Sequence, residues 1–173
     1  MAHNGATEAQ EQGGARFLVV DDLPDNVFVL RKLLARGFPG CEVMAAASAP
    51  EAIALALEQD PDGIFADVQM PGVDGIELCR RLKADGRTEH IPVILVTAHA
   101  AASNLKARGL DAGADDFIAK PADNLELLSR ARVMLRTRRA EDALRNVTLH
   151  LADLVGERTA ELRESEEKFR TLT

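Results

Sequence analysis

Five side chains in this sequence combine into a chemistry that none of them has alone. Asp21 and Asp22 follow the apolar run 17–20, Asp67 follows 64–66, Thr97 follows 93–96 and Lys120 follows 117–119. Three carboxylates forced together repel one another, and their charge is costly to bury unless a cation joins them. A small set of hard oxygen ligands suits Mg2+, which keeps several waters and takes one or two protein carboxylates plus a phosphate oxygen. A carboxylate beside Mg2+ can act as a nucleophile and form an aspartyl-phosphate. A Lys ammonium and a Thr hydroxyl then supply donors to the phosphoryl oxygens. In this reading Asp22 and Asp67 hold the metal directly and Asp21 orients it. Asp67 attacks phosphorus, and Thr97 and Lys120 bind the transferred group. Each residue also has a plain structural reading: Asp21 and Asp22 as helix caps, Asp67 as a turn residue, Thr97 as a β-branched strand residue, Lys120 as a solvated strand end. Their joint occurrence favours the chemistry.

Positioning five such groups requires a scaffold that delivers them to one edge. From Arg16 the chain alternates short apolar runs with longer amphipathic ones. Residues 16–20, 41–47, 62–67, 91–98 and 115–121 read as strands, and 91–98, the most apolar, as the central one. Between them lie helical spacings. The first begins at Pro24, an N1-type proline, and is closed by Gly37. The second starts at Ser48, with Glu51 completing a capping box. The others cover 76–85 and roughly 100–112, and a last helix starts near Asp123. Such alternation predicts an α/β fold, a doubly wound parallel sheet of five strands. Ligands in such sheets sit beyond the carboxyl ends of the strands, where all five residues fall.

Composition narrows the function classes. With 46% hydrophobic and 28% charged residues, the 173-residue chain reads as a soluble globular protein. Aromatics are 3%, with no Trp or Tyr, so an aliphatic core is expected. A net charge of −7 argues against coating nucleic acid or anionic membrane. Cys41 and Cys79 have no CxxC spacing and read as buried free thiols in a reducing compartment. The histidines form no metal pattern, and no apolar run approaches the ~20 residues of a membrane span. Residues 1–15 read as a disordered polar tail without a signal-peptide core, which makes a cytoplasmic location the expectation.

The segments FLVVDD, DVQMPGVDG, ILVTA and AGADDFIAKP resemble, in order and spacing, the receiver domains of two-component response regulators. The resemblance covers about 120 residues, here 16–138. It implies a flavodoxin-like strand order 2-1-3-4-5. It also implies phosphotransfer to Asp67 from a histidine kinase (or a small phosphodonor), and slow self-dephosphorylation. Gln69 and His99 stand where the family flanks the attacking water. Phe117 stands at the family's aromatic switch, paired with Thr97. The Lys120–Pro121 peptide is expected to be cis, and Met70, Pro71 and Gly72 to form the tight turn after Asp67. Two other classes compete. A magnesium-dependent phosphohydrolase would need a second Asp two residues beyond its nucleophile, where this chain has Gln69. A non-phosphorylated scaffold would not need the complete set of five.

Residues 139–173 contain no Pro and one Gly, Gly156. Leu144, Leu151, Val155, Leu162, Phe169 and Leu172 follow a 3-4 spacing, with Thr148, Arg158 and Ser165 at the other seam sites. A parallel coiled coil continuing the last helix and forming a homodimer is expected, with a single amphipathic helix as the alternative. The stretch ERTAELRESEEKFRTLT resembles helical connectors that precede PAS domains, which implies a PAS or enzymatic output domain beyond this segment. The arginines between 130 and 139 read as a solvated helix face, with no DNA-binding motif.

Overall fold

The computed structural model describes residues 14–98, 103–120 and 123–171. Most of the expected tail, His99, the peptide joining Lys120 to Pro121, and Leu172 therefore lie outside the described residues. Five strands and five helices alternate among those described: β1 (Arg16–Val20), α1 (Pro24–Gly37), β2 (Glu42–Ala46), α2 (Ala49–Gln59), β3 (Gly63–Asp67), α3 (Gly75–Ala84), β4 (Val93–Thr97), α4 (Ser103–Asp111), β5 (Asp116–Ala119) and α5 (Asn124–Thr171). All pairings are parallel, and the sheet order is β2-β1-β3-β4-β5. This is the doubly wound, flavodoxin-like sheet that the alternation and the resemblance implied.

Period-two alternation distributes each strand between two cores. Leu18, Val20, Ile64, Ala66, Val93 and Leu95 face α2, α3 and α4. Phe17, Val19, Phe65, Ile94, Val96 and Ile118 face α1 and the start of α5. β3 and β4 are buried at every position, which explains their nearly continuous apolar runs. β3, rather than the more apolar β4, occupies the centre, because apolarity reports burial on two faces and both inner strands have it. The aliphatic core is also a partial description. Phe17, Phe38 and Phe65 are fully buried, with ring centroids 5.2 and 6.0 Å apart. The few aromatics are concentrated where one face needs large side chains.

Local signals were met in part. Pro24 opens α1 as its spacing suggested. Gly37 ends that helix as expected, without a left-handed conformation. A Cβ there would meet Leu128 Cδ2 at 2.3 Å, so its small size also serves the packing of α1 on α5. The capping box at α2, however, is incomplete. The Ser48 side chain makes no cap hydrogen bond, and the Glu51 carboxylate accepts from the Ala47 N–H at 2.8 Å, one residue earlier than the motif requires. At α3 the cap is Asp74, which accepts from the Glu77 N–H at 2.7 Å. Cys79 is a buried free thiol, whereas Cys41 is only half-buried.

The chain divides into two compact units between Arg138 and Arg139. In the first, the arginine-rich turns of α5 are not merely solvated. Arg138 is 5% exposed and donates to Asp60 Oδ2 at 3.2 Å. Arg130 pairs with Asp116 and Glu126. In the second unit, residues 139–171 are helical throughout, Gly156 included.

Candidate phosphoacceptor site

The parallel sheet gathers the predicted residues as its geometry requires. Asp21 follows β1, Asp67 ends β3, Thr97 ends β4 and Lys120 follows β5. Asp21, Asp22 and Asp67 bring one ligand oxygen each to within 4.8 Å of one another. Asp21 and Asp67 are 6% and 8% exposed, so this is a buried concentration of negative charge. Lys120 answers it. Its Nζ donates to Asp67 Oδ1 at 2.8 Å and to Asp21 Oδ2 at 3.1 Å.

Burial raises the Asp67 carboxyl above its ordinary range. The Lys120 ammonium and the Gln69 N–H, which donates to Asp67 Oδ2 at 3.0 Å, pull it down, and the Asp21 charge pushes it up again. Burial lowers Lys120, but its bonds to Asp67 and Asp21 outweigh that, leaving the ammonium above its usual value. One monovalent cation therefore faces three carboxylates, and burial still outweighs it at Asp67. The all-oxygen donor set and the residual negative charge fit a hard divalent cation such as Mg2+. Such a charge would oppose the effect of burial on Asp67.

Two residues that sequence reasoning missed hold this arrangement. Asn26, in the first turn of α1, donates from Nδ2 to Asp21 Oδ2 at 2.9 Å and Oδ1 at 3.1 Å. The Leu23 N–H adds a third bond to Asp21 Oδ1 at 2.9 Å. Asp21 thus accepts from three groups and stays aimed at the cluster. Nothing in the spacing of Asn26 from Asp21 marks it in sequence. Gly75 packs α3 directly on the loop after Asp67: a Cβ there would stand 2.2 Å from the Asp67 carbonyl oxygen. The turn in between contains Gly72 at φ +78°, a conformation glycine adopts without strain.

Thr97 is fully buried, and its carbonyl accepts from the Lys120 N–H at 2.6 Å. Phe117 pairs with Leu95 in register, and alternation places Thr97 and Phe117 on the same sheet face. Phe117 is partly buried there, beside Leu95 and Gly109 of α4. Gln69 lies at the rim, two residues beyond Asp67, and His99 is outside the described residues.

Comparison with known proteins gives this geometry a family. Residues 17–132 match the response regulator receiver domain. The response regulator PleD of Caulobacter vibrioides is 45% identical over 132 residues, covering 76% of this chain and 28% of PleD. The response regulator MprA of Mycobacterium bovis is 39% identical over 139 residues, covering 80% of this chain and 58% of MprA. The chain thus spans less than two thirds of these relatives. The receiver domain of the sensor histidine kinase PA1611 from Pseudomonas aeruginosa, solved with magnesium coordinated in its active-site cleft, superposes with a TM-score of 0.62 at 31% identity. That match covers 72% of this chain and 97% of the Pseudomonas domain. A parallel sheet ending in an acidic cluster answered by one lysine, together with these similarities, establishes that the chain belongs to the response regulator receiver family.

Proposed function

We propose that Asp67 is the phosphoacceptor, taking its phosphoryl group from the phosphohistidine of a histidine kinase or from a small phosphodonor. The observation that carries this reading is the bridge from Lys120 Nζ to both Asp67 and Asp21 within a buried acidic cluster. Asp67 Oδ2 is held by the Gln69 N–H and Oδ1 by Lys120, so the carboxylate is oriented before any donor arrives. An Asp67 oxygen attacks phosphorus, the bond to the donor's leaving nitrogen or oxygen breaks, and the leaving group departs with the electron pair. Mg2+, held by Asp21, Asp22 and Asp67, would neutralise charge on the phosphoryl oxygens. Lys120 then turns from Asp67 to a phosphoryl oxygen, and the Thr97 hydroxyl donates to another.

Thr97 and Phe117 share a sheet face, which supports their coupling. Movement of Thr97 toward the phosphoryl group opens space behind it for Phe117 and remodels the surface formed by α4 and β5. Gln69 and His99 flank the path of the water that hydrolyses the acyl phosphate. Residues 139–173 act as a helical connector, forming a parallel homodimer and leading to a PAS or enzymatic output domain in the full-length protein. The switch is cytoplasmic in this reading; among the described residues no helix is long and apolar enough to cross a membrane. A phosphohydrolase remains less well supported, because Gln69 supplies no acid or base two residues beyond Asp67.

Intact mass after incubation with acetyl phosphate and Mg2+ tests the proposal. The chain gains one phosphoryl group, and both Asp67→Asn and removal of Mg2+ abolish the gain. An unchanged gain in Asp67→Asn would refute the assignment.

A further inference from the structure

The helix of the second unit displays more apolar surface than one uninterrupted heptad seam accounts for. Leu144, Val147, Leu151, Leu154, Leu162 and Phe169 are all exposed, between 43% and 76%. A strict 3-4 spacing from Leu144 runs through Thr148 and Val155 and leaves Val147 and Leu154 on the flank. The alternative spacing from Leu144 runs through Val147, Leu151 and Leu154 and is apolar at each step. Upstream it begins with Ala140. It then fails, because its next members after Arg158 are Glu161, Ser165 and Lys168, all polar.

One insertion reconciles the two halves. From Leu151 the steps 3, 4 and 4 lead through Leu154 and Arg158 to Leu162, after which 3-4 spacing resumes through Ser165 and Phe169. An added step of four residues is a stutter. The eleven residues from Leu151 to Leu162 then make three turns at about 3.67 residues each, close to the natural period of a straight α-helix. Gly156, the residue in this unit with the weakest helix propensity, lies inside that interval. Its Cβ position meets nothing within 4 Å, so the helix itself does not require a glycine there.

We infer that a second copy of this chain packs in parallel along this stuttered seam. The inference rests on the homodimer proposed above and specifies its register. A stripe with one 3-4-4 interval at a fixed height matches another helix that carries the same interruption at the same height, and an identical chain supplies it. Charge agrees. In a parallel pair Arg158 would meet its counterpart, but each guanidinium donates to Glu161 Oε2 at 2.8 Å within its own helix. That bond draws Arg158 toward the flank and neutralises it, so the one cation in the seam is tolerated. The knobs at Val147 and Leu154 enter the interface, and Thr148 and Val155 face away from its centre.

Single cysteines introduced into the full chain separate the two registers. Val147→Cys, Thr148→Cys, Leu154→Cys and Val155→Cys are oxidised under mild conditions, with wild type as the background for Cys41 and Cys79. Facing β-carbons within disulfide reach are required, so Val147→Cys and Leu154→Cys should link at least about fivefold faster than their neighbours. Faster linking at 148 and 155, or equal rates at all four, overturns the stutter. Sedimentation equilibrium on the same samples distinguishes the underlying reading. A dimer linked at 148 and 155 keeps the homodimer and refutes this register, whereas a monomer refutes both. A dimer that links at none of the four positions also refutes the inference.

Discussion

Gly75→Ala adds a single methyl group where α3 meets the acceptor loop. The new Cβ would stand 2.2 Å from the Asp67 carbonyl oxygen, 2.9 Å from the Asp67 carbonyl carbon and 3.0 Å from Val68 Cα. Ordinary contact lies near 3.5 Å, so relief needs a backbone displacement of roughly 1 Å. The loop resists it. The Val68 N–H donates to the Val96 carbonyl at 2.8 Å, the Gly75 N–H donates to the Val68 carbonyl at 3.0 Å, and the Asp67 side chain is pinned by Lys120 and Gln69. Overpacking costs about 1–3 kcal/mol, and contact with backbone places this site at the upper end. Better helix propensity returns at most about 1 kcal/mol, leaving a net loss of about 2 kcal/mol. With a urea dependence of about 2 kcal/mol/M, the unfolding midpoint should fall by about 1 M, read by far-UV circular dichroism. Phosphorylation by acetyl phosphate should slow as well, because the acceptor carbonyl moves. Gly63→Ala is the comparison: its Cβ meets the flexible Met134 side chain and not backbone, so the loss should be smaller. An unchanged midpoint in Gly75→Ala would refute the claim that this glycine seats the helix on the acceptor.

Three further outcomes are expected. Lys120→Met leaves Asp21 and Asp67 without their shared cation. It should cost about 1–2 kcal/mol in Mg2+-free buffer, a discounted figure because 31% of the Lys120 side chain faces solvent, and it should abolish accumulation of the phosphorylated form; equal urea midpoints for variant and wild type would count against the bridge. Asn26→Ala removes both Nδ2 bonds to Asp21 and should weaken Mg2+ binding about fivefold by titration calorimetry, with unaltered affinity counting against a positioning role. Burial pushes the Cys79 thiol up to about 11, so at pH 8 iodoacetamide should modify half-buried Cys41 first and Cys79 only after unfolding. Because the folded value exceeds the unfolded 9.0, the Cys79 contribution to stability is complete below pH 9 and declines as pH rises toward 11. Native-state labelling of Cys79 at the rate of Cys41 would contradict that burial.

The strands and most of the site were legible because both rest on local pattern. Strands buried on two faces must be largely apolar, so 16–20 and 62–67 announced themselves, and the Asp residues at their ends came with them. The turn after Asp67 was readable because Gly72 needs a positive φ. What escaped was set by how the elements pack on one another, not by residue type or spacing. Asn26 reaches Asp21 only because α1 folds back on the end of β1, and no spacing rule encodes that approach. Gly37 was legible as the helix stop, but not the demand on its size that comes from Leu128, far along the chain. Arg138 looked solvated until Asp60 was brought beside it. The apolar stripe through Val147 and Leu154 departs from one unbroken heptad and so does not stand out in a strict 3-4 pattern.

The central claim is that the phosphoryl group resides on Asp67, and chemical trapping locates it most directly. Borohydride reduction of the phosphorylated chain converts an acyl phosphate to an alcohol, so the acceptor aspartate becomes homoserine. Peptide mass mapping should find homoserine at position 67, dependent on Mg2+ and absent from Lys120→Met. Homoserine at Asp21 or Asp22, or phosphate retained on a residue that borohydride does not reduce, would contradict the account.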